Sequence, residues 1–100
     1  MSLTVGSGRR RHRVVVEVFT RDECPLCEEA EALVAKEARH ARIRRIDVDT
    51  DEGLQQRYGD RVPVVVVDGR EISEGQLQPG LLARTVRRAR EGRWADWRRA

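Results

Sequence analysis

The tightest constraint on how this chain can fold lies between residues 14 and 27. Val14, Val15, Val16, Val18 and Phe19 make an apolar run up to Thr20 that only Glu17 interrupts, and Cys24-Pro25-Leu26-Cys27 follows after Arg21-Asp22-Glu23. A β-branched run of this kind suits a strand buried on both faces. A helix is then expected to open at the cysteines. Pro25 fits its first turn, where the missing N–H costs nothing. Leu26, Ala30, Leu33, Val34 and Ala41 recur at helical spacing and mark the expected apolar face. Glu28, Glu29 and Glu31 stand early and Arg39 and His40 late, as the helix dipole favours.

The rest of the chain extends this start. Residues 43–49 alternate, with Ile46 and Val48 as apolar members, and read as a second strand. Strand, helix and strand make a right-handed βαβ unit. Residues 51–58 read as a short helix that Thr50 or Asp51 can cap and Gly59 can stop. Residues 62–67 form a third strand with Pro63 near its start, and Asp68-Gly69 is a two-residue hairpin signal that pairs residues 70–73 antiparallel to it. Gln78-Pro79-Gly80 opens a last helix over residues 79–91, with Leu82, Val86 and Ala89 as its buried stripe and Gly92 as its stop. The predicted fold is α/β, in the order β-α-β-α-β-β-α, with a four-stranded mixed sheet flanked by helices.

A chain of 100 residues is long enough for one compact core. That core is expected over residues 13–92, between a flexible basic tail at 1–12 and an Arg/Trp-rich extension at 93–100. No internal repeat and no second domain is read. Charged residues make up 37% of the chain, yet the net charge is only +3. That balance permits contact with polyanions, but no nucleic-acid recognition motif is present. No stretch approaches the roughly 20 apolar residues of a membrane span, and no apolar export segment is read at the N-terminus. The expected compartment is the reducing cytoplasm, where a close cysteine pair is more often catalytic or metal-binding than structural.

Cys24 would sit at the helix start, beside unpaired backbone N–H groups and the positive end of the dipole, both of which stabilise a thiolate. Cys27 would lie one turn deeper, less exposed but close enough to form a disulfide. This asymmetry predicts that Cys24 attacks a substrate disulfide and that Cys27 then resolves the mixed disulfide. A reductant outside the chain must regenerate the thiols. Asp22, Glu23, Glu28 and Glu29 crowd the pair and oppose ionisation. Pro63 is the second element of the site, because the start of the third strand should face the start of the first helix. A cis Val62-Pro63 bond, whose general frequency is only about 5%, would leave the Val62 N–H and C=O free to pair with an extended substrate. Pro25 and Leu26 complete the candidate contacts. No metal site is expected within the chain: a structural zinc needs four ligands, and beyond the cysteines only His12 and His40 remain.

Phe19-Thr20, Cys24-Pro25-Leu26-Cys27, Val62-Pro63 and Asp68-Gly69 stand at the spacing found in glutaredoxins, which the chain resembles over about residues 13 to 90. Cys24 to Glu31, Ile46-Asp47-Val48-Asp49 and Tyr58-Gly59 are closer still to small bacterial glutaredoxin-like proteins. The resemblance implies a thioredoxin-like fold, a cis Pro63, and nucleophilic and resolving roles for Cys24 and Cys27. It also implies glutathione as a possible co-substrate, with Arg21 at one of its carboxylates and Arg61 assisting, and no tightly bound cofactor. The family's Gly-Gly and following Asp, which hold the γ-glutamyl end of glutathione, are replaced by Ser73-Glu74 and Leu77. That departure predicts weaker glutathione binding, with Glu74 as a repelling charge. The expected function is a monomeric thiol–disulfide oxidoreductase acting on protein or glutathione mixed disulfides. The alternatives are a non-catalytic binding module or iron–sulfur carrier on the same fold, and a nucleic-acid or acidic-partner surface formed by Arg84, Arg87, Arg88, Arg90, Arg93, Trp94, Trp97, Arg98 and Arg99.

Overall fold

The computed structural model describes residues 13–92. The elements are β1 (Val15–Thr20), α1 (Pro25–Glu37), β2 (Arg42–Asp47), a 3-10 turn (Val48–Thr50), α2 (Glu52–Tyr58), β3 (Val64–Val67), β4 (Arg70–Glu74) and α3 (Leu81–Arg90). Their order is the expected one. The tail at 1–12 and the extension at 93–100, with Trp94 and Trp97, lie outside the described residues. Among the described residues no helix is long and apolar enough to cross a membrane.

The sheet runs β2-β1-β3-β4. β1 is parallel to β2, with Val15 beside Arg42 and Thr20 beside Asp47. β3 is antiparallel to β1, with Phe19 opposite Val64, and β4 is antiparallel to β3. Strand alternation divides the valine run between two cores. Val14, Val16 and Val18 join Val65 and Val67 under Ala30 and Val34 of α1 and Leu82, Val86 and Ala89 of α3. Phe19, Val64 and Val66 face the other way, onto Val48 and Tyr58. The second layer is short, and it leaves Glu17 half-buried, beside Arg44 on the adjacent strand and 3.0 Å from its guanidinium.

Several boundaries move for local reasons. The buried face of α1 starts at Cys27 and continues through Ala30 and Val34 to Ala38 and Ala41 beyond the helix. Leu26, expected on that face, is instead 41% exposed, because the true stripe begins one position later. Arg39 and His40 fall in the turn after α1 rather than in its last turn. β2 ends at Asp47, whose carboxylate accepts the Asp49 N–H at 2.9 Å and starts the 3-10 turn. β3 begins at Val64, after the cis Val62-Pro63 bond. Other signals hold as read. The Asp51 carboxylate caps α2 by accepting the Leu54 N–H at 2.9 Å. Asp68 and Gly69, at φ 48° and 84°, make the hairpin turn, which needs positive φ at both positions.

The last helix starts at Leu81 rather than 79, because Gly80 takes a left-handed conformation (φ 89°) and has no side chain to cap it. Glu37, from the end of α1, supplies the cap. One carboxylate oxygen accepts the Gly80 N–H at 2.8 Å and the other the Ala83 N–H at 3.1 Å. Two of the four orphan donors of α3 are thereby satisfied by a different helix.

Candidate functional site

β1 ends at the buried Thr20, the chain reaches the surface at Asp22, and Glu23, at φ 55°, turns it into α1. Cys24 is the N-cap, with the extended backbone typical of that position (φ −130°, ψ 104°). Its sulfur accepts the Cys27 N–H at 3.2 Å, and its carbonyl accepts the Glu28 N–H at 3.0 Å. Cys24 and Cys27 form a disulfide, with their Cα atoms 5.2 Å apart. Cys24 is half-buried, whereas Cys27 is 0% exposed. Only the first sulfur faces solvent, and it is also the one set among the backbone donors that stabilise a thiolate.

The second part of the site comes from the start of β3. Phe19 pairs with Val64, so the cis Val62-Pro63 bond lies at the same end of the sheet as the loop that carries the cysteines. Pro63 is buried and Val62 half-buried. The Gly75 N–H donates to the carbonyls on either side, those of Arg61 (3.1 Å) and Pro63 (2.9 Å). The Val62 carbonyl between them has no hydrogen-bond donor among the described residues. Pro25 and Leu26 are exposed between the cysteines.

The two arginines offered by the sequence are already engaged. Arg21 donates to both oxygens of Asp49, at 2.9 and 3.3 Å, and to the Gly59 carbonyl at 3.1 Å. The hydrogen bond to Asp49 raises the Arg21 pKa and lowers that of Asp49, and the charges of Asp47 and Asp60 reinforce the guanidinium. Arg61 donates to both oxygens of Glu71, at 2.9 and 3.1 Å, and to Glu74 at 2.8 Å. Those carboxylates push its pKa up, and Arg61 in turn holds Glu71 below the usual carboxylate range. The Arg61 guanidinium also lies 5.4 Å over the Tyr58 ring, which stacks on Phe19 with centroids 4.0 Å apart. Glu74 is therefore a paired charge and not the free anion expected from sequence.

A further network was not foreseen. The buried Thr20 hydroxyl donates to Glu31 at 2.6 Å. Arg45 bridges Glu31 (3.0 Å) and Asp22 (3.1 Å), joining β2, α1 and the loop before Cys24. The one available signal was spacing, since Glu31 is one helical turn beyond Cys27 and shares its face. Asp22, read as one of four charges crowding the cysteines, is thus ion-paired, and Glu23, Glu28 and Glu29 have no partner among the described residues. Among the described residues no three His, Cys, Asp or Glu side chains come together in a way that could hold a metal ion.

The sequence profile of the glutaredoxin-like domain (DUF836) matches residues 15–87. A probable thioredoxin of Archaeoglobus fulgidus is 33% identical over 84 residues, covering 79% of this chain and 92% of that protein. An uncharacterized protein of Mycobacterium bovis is 30% identical over 93 residues, covering 86% of this chain and 96% of its own. Among solved structures, a structural-genomics target protein from X. campestris superposes with a TM-score of 0.62 at 30% identity, covering 72% of this chain and 95% of that one. A single-residue mutant of thioredoxin from Halobacterium salinarum superposes with a TM-score of 0.60, also at 30% identity, covering 79% of this chain and 75% of that one. With its cysteine pair at the strand-to-helix corner and its cis proline at the same end of the sheet, the chain has a thioredoxin-like fold and belongs to the glutaredoxin-like (DUF836) family.

Proposed function

We propose that the protein is a thiol–disulfide oxidoreductase acting on protein or small-molecule disulfides. The observation that carries this reading is the disulfide itself: one sulfur half-exposed at a helix N-cap, the other fully buried one turn deeper. In the reduced protein the Cys24 thiolate attacks one sulfur of a substrate disulfide. A Cys24–substrate disulfide forms, and the other substrate sulfur leaves as a thiolate. Cys27 loses its proton and attacks the Cys24 sulfur; the Cys24–Cys27 bond forms and the second substrate thiolate departs. The substrate gains two electrons, the protein loses two, and an external dithiol or thiol pair restores them.

The Val62 carbonyl, unpaired among the described residues, offers an acceptor to an extended substrate backbone, as in strand addition. Pro25 and Leu26 supply exposed apolar surface beside Cys24. The test is single-turnover reduction of 2-hydroxyethyl disulfide by the reduced protein. Stoichiometric thiol release together with formation of the internal disulfide is expected. No release above that of a Cys24→Ser variant would overturn the reading.

A further inference from the structure

We infer that the Cys24 site discriminates by charge, accepting disulfides on cationic or neutral apolar segments and disfavouring those flanked by carboxylates. The inference rests on the oxidoreductase reading above and names its substrate class. The site in question is the cysteine pair, and the argument concerns what surrounds it.

Three arginines that could attract an anion to this region are already engaged. Arg21 is held by Asp49, with Asp47 and Asp60 close enough to act on it. Arg61 is shared between Glu71 and Glu74, and Arg57 also acts on Glu71, so that cluster is balanced. Arg45 is shared between Glu31 and Asp22, with one surplus negative charge. Among the described residues, the charges without a partner next to Cys24 are all carboxylates. Glu23 precedes it in the chain, and Glu28 and Glu29 lie on the following turn of α1, all three exposed. Between them Pro25 and Leu26 present apolar surface, Leu26 at 41% exposure. A substrate carboxylate brought to Cys24 meets the negative charges of Glu23, Glu28 and Glu29. An ammonium or guanidinium beside the scissile disulfide finds unpaired carboxylates, and an apolar neighbour finds Leu26.

The test uses the reduced full-length protein in single turnover with three probes: cystamine (cationic), 2-hydroxyethyl disulfide (neutral) and glutathione disulfide (anionic). Each rate constant is divided by that of dithiothreitol with the same disulfide, which removes intrinsic reactivity. At low salt the normalised value for cystamine should exceed that for glutathione disulfide by roughly tenfold, because exposed charges act weakly one by one but add here. The gap should narrow towards ~0.5 M salt, where screening shortens the range of these charges to a few ångströms. The Glu23→Gln, Glu28→Gln, Glu29→Gln variant should lose most of it. Equal or reversed order in the wild-type protein, with the neutral disulfide reduced normally, overturns the charge inference and leaves the redox reading intact. No reaction with any of the three overturns the redox reading, and the inference falls with it. The salt dependence of the wild-type protein decides the matter even if the variant does not fold.

Discussion

The two sulfurs of the pair see different surroundings, and that difference assigns their roles. Cys24 is half-buried and receives a backbone N–H, whereas Cys27 is wholly enclosed. In the reduced protein iodoacetamide should therefore modify Cys24 first, as peptide mapping by mass spectrometry would show. Labelling of Cys27 ahead of Cys24 would reverse the assignment. Cys24→Ser should abolish disulfide reduction, since no nucleophile remains at the surface. Cys27→Ser should accumulate a mixed disulfide with substrate, visible as a mass increase that dithiothreitol removes. Both cysteines were legible in the sequence, because a helix N-terminus after a buried strand is a local property. The roles of the arginines were not. Arg21 and Arg61 meet partners 28 and 10 or more positions away, and no spacing rule announces such pairs.

Among the elements, α3 depends most on a distant residue. Its N-cap is a glycine in the left-handed region, and the Glu37 carboxylate closes its first turn from another helix. Glu37→Ala should lower stability by about 1 kcal/mol, the usual scale for losing a cap. Glu37→Gln, which keeps one acceptor oxygen, should fall between the alanine variant and the wild type. Urea denaturation at constant pH measures both, and a Glu37→Ala midpoint unchanged from wild type would mean that water replaces the carboxylate without loss. The hairpin between β3 and β4 lies at the opposite pole of legibility. Asp68-Gly69 announces its own backbone conformation, and the structure places both residues at positive φ. Turn chemistry is written in two adjacent residues, whereas a cap lent by a neighbouring helix is written in none of its own.

At the scale of the whole molecule, the two cores and the surface ion pairs respond to different perturbations. Leu82 is fully buried in the larger core, between α3 and the sheet. Leu82→Ala should cost about 2–5 kcal/mol through lost transfer energy and the cavity left behind, read as a large drop in the denaturation midpoint. The ion pairs predict a pH dependence. Asp49 and Glu71 ionise at lower pH in the folded chain than free carboxyls do, held by Arg21 and Arg61. The unfolded chain therefore binds their protons first. The stabilisation is complete above the ordinary carboxylate range, near pH 4, and is lost as pH falls through the lowered folded values. Stability should decline on acidification below about pH 4, and Asp49→Asn should flatten that decline. An unaltered slope in Asp49→Asn would show that its pairing adds nothing to the acid response.

The sequence by itself determined the order of elements, the place of the cysteines at a strand-to-helix corner, the hairpin, the cap of α2 and the stripe of α3. These follow from periodicity, propensity and turn chemistry, which act over a few residues. It also carried the cis Val62-Pro63 bond, though only through resemblance to a family, because a bare X-Pro bond favours trans. Only the tertiary structure decided which charges are spent. Asp22 is held by Arg45, Arg61 is divided between Glu71 and Glu74, and Glu37 caps α3. It also moved Leu26 from the core to the surface beside Cys24. The reason is physical: an ion pair or a borrowed cap depends on distance in space, and the sheet sets that distance by bringing β1, β2 and β3 side by side.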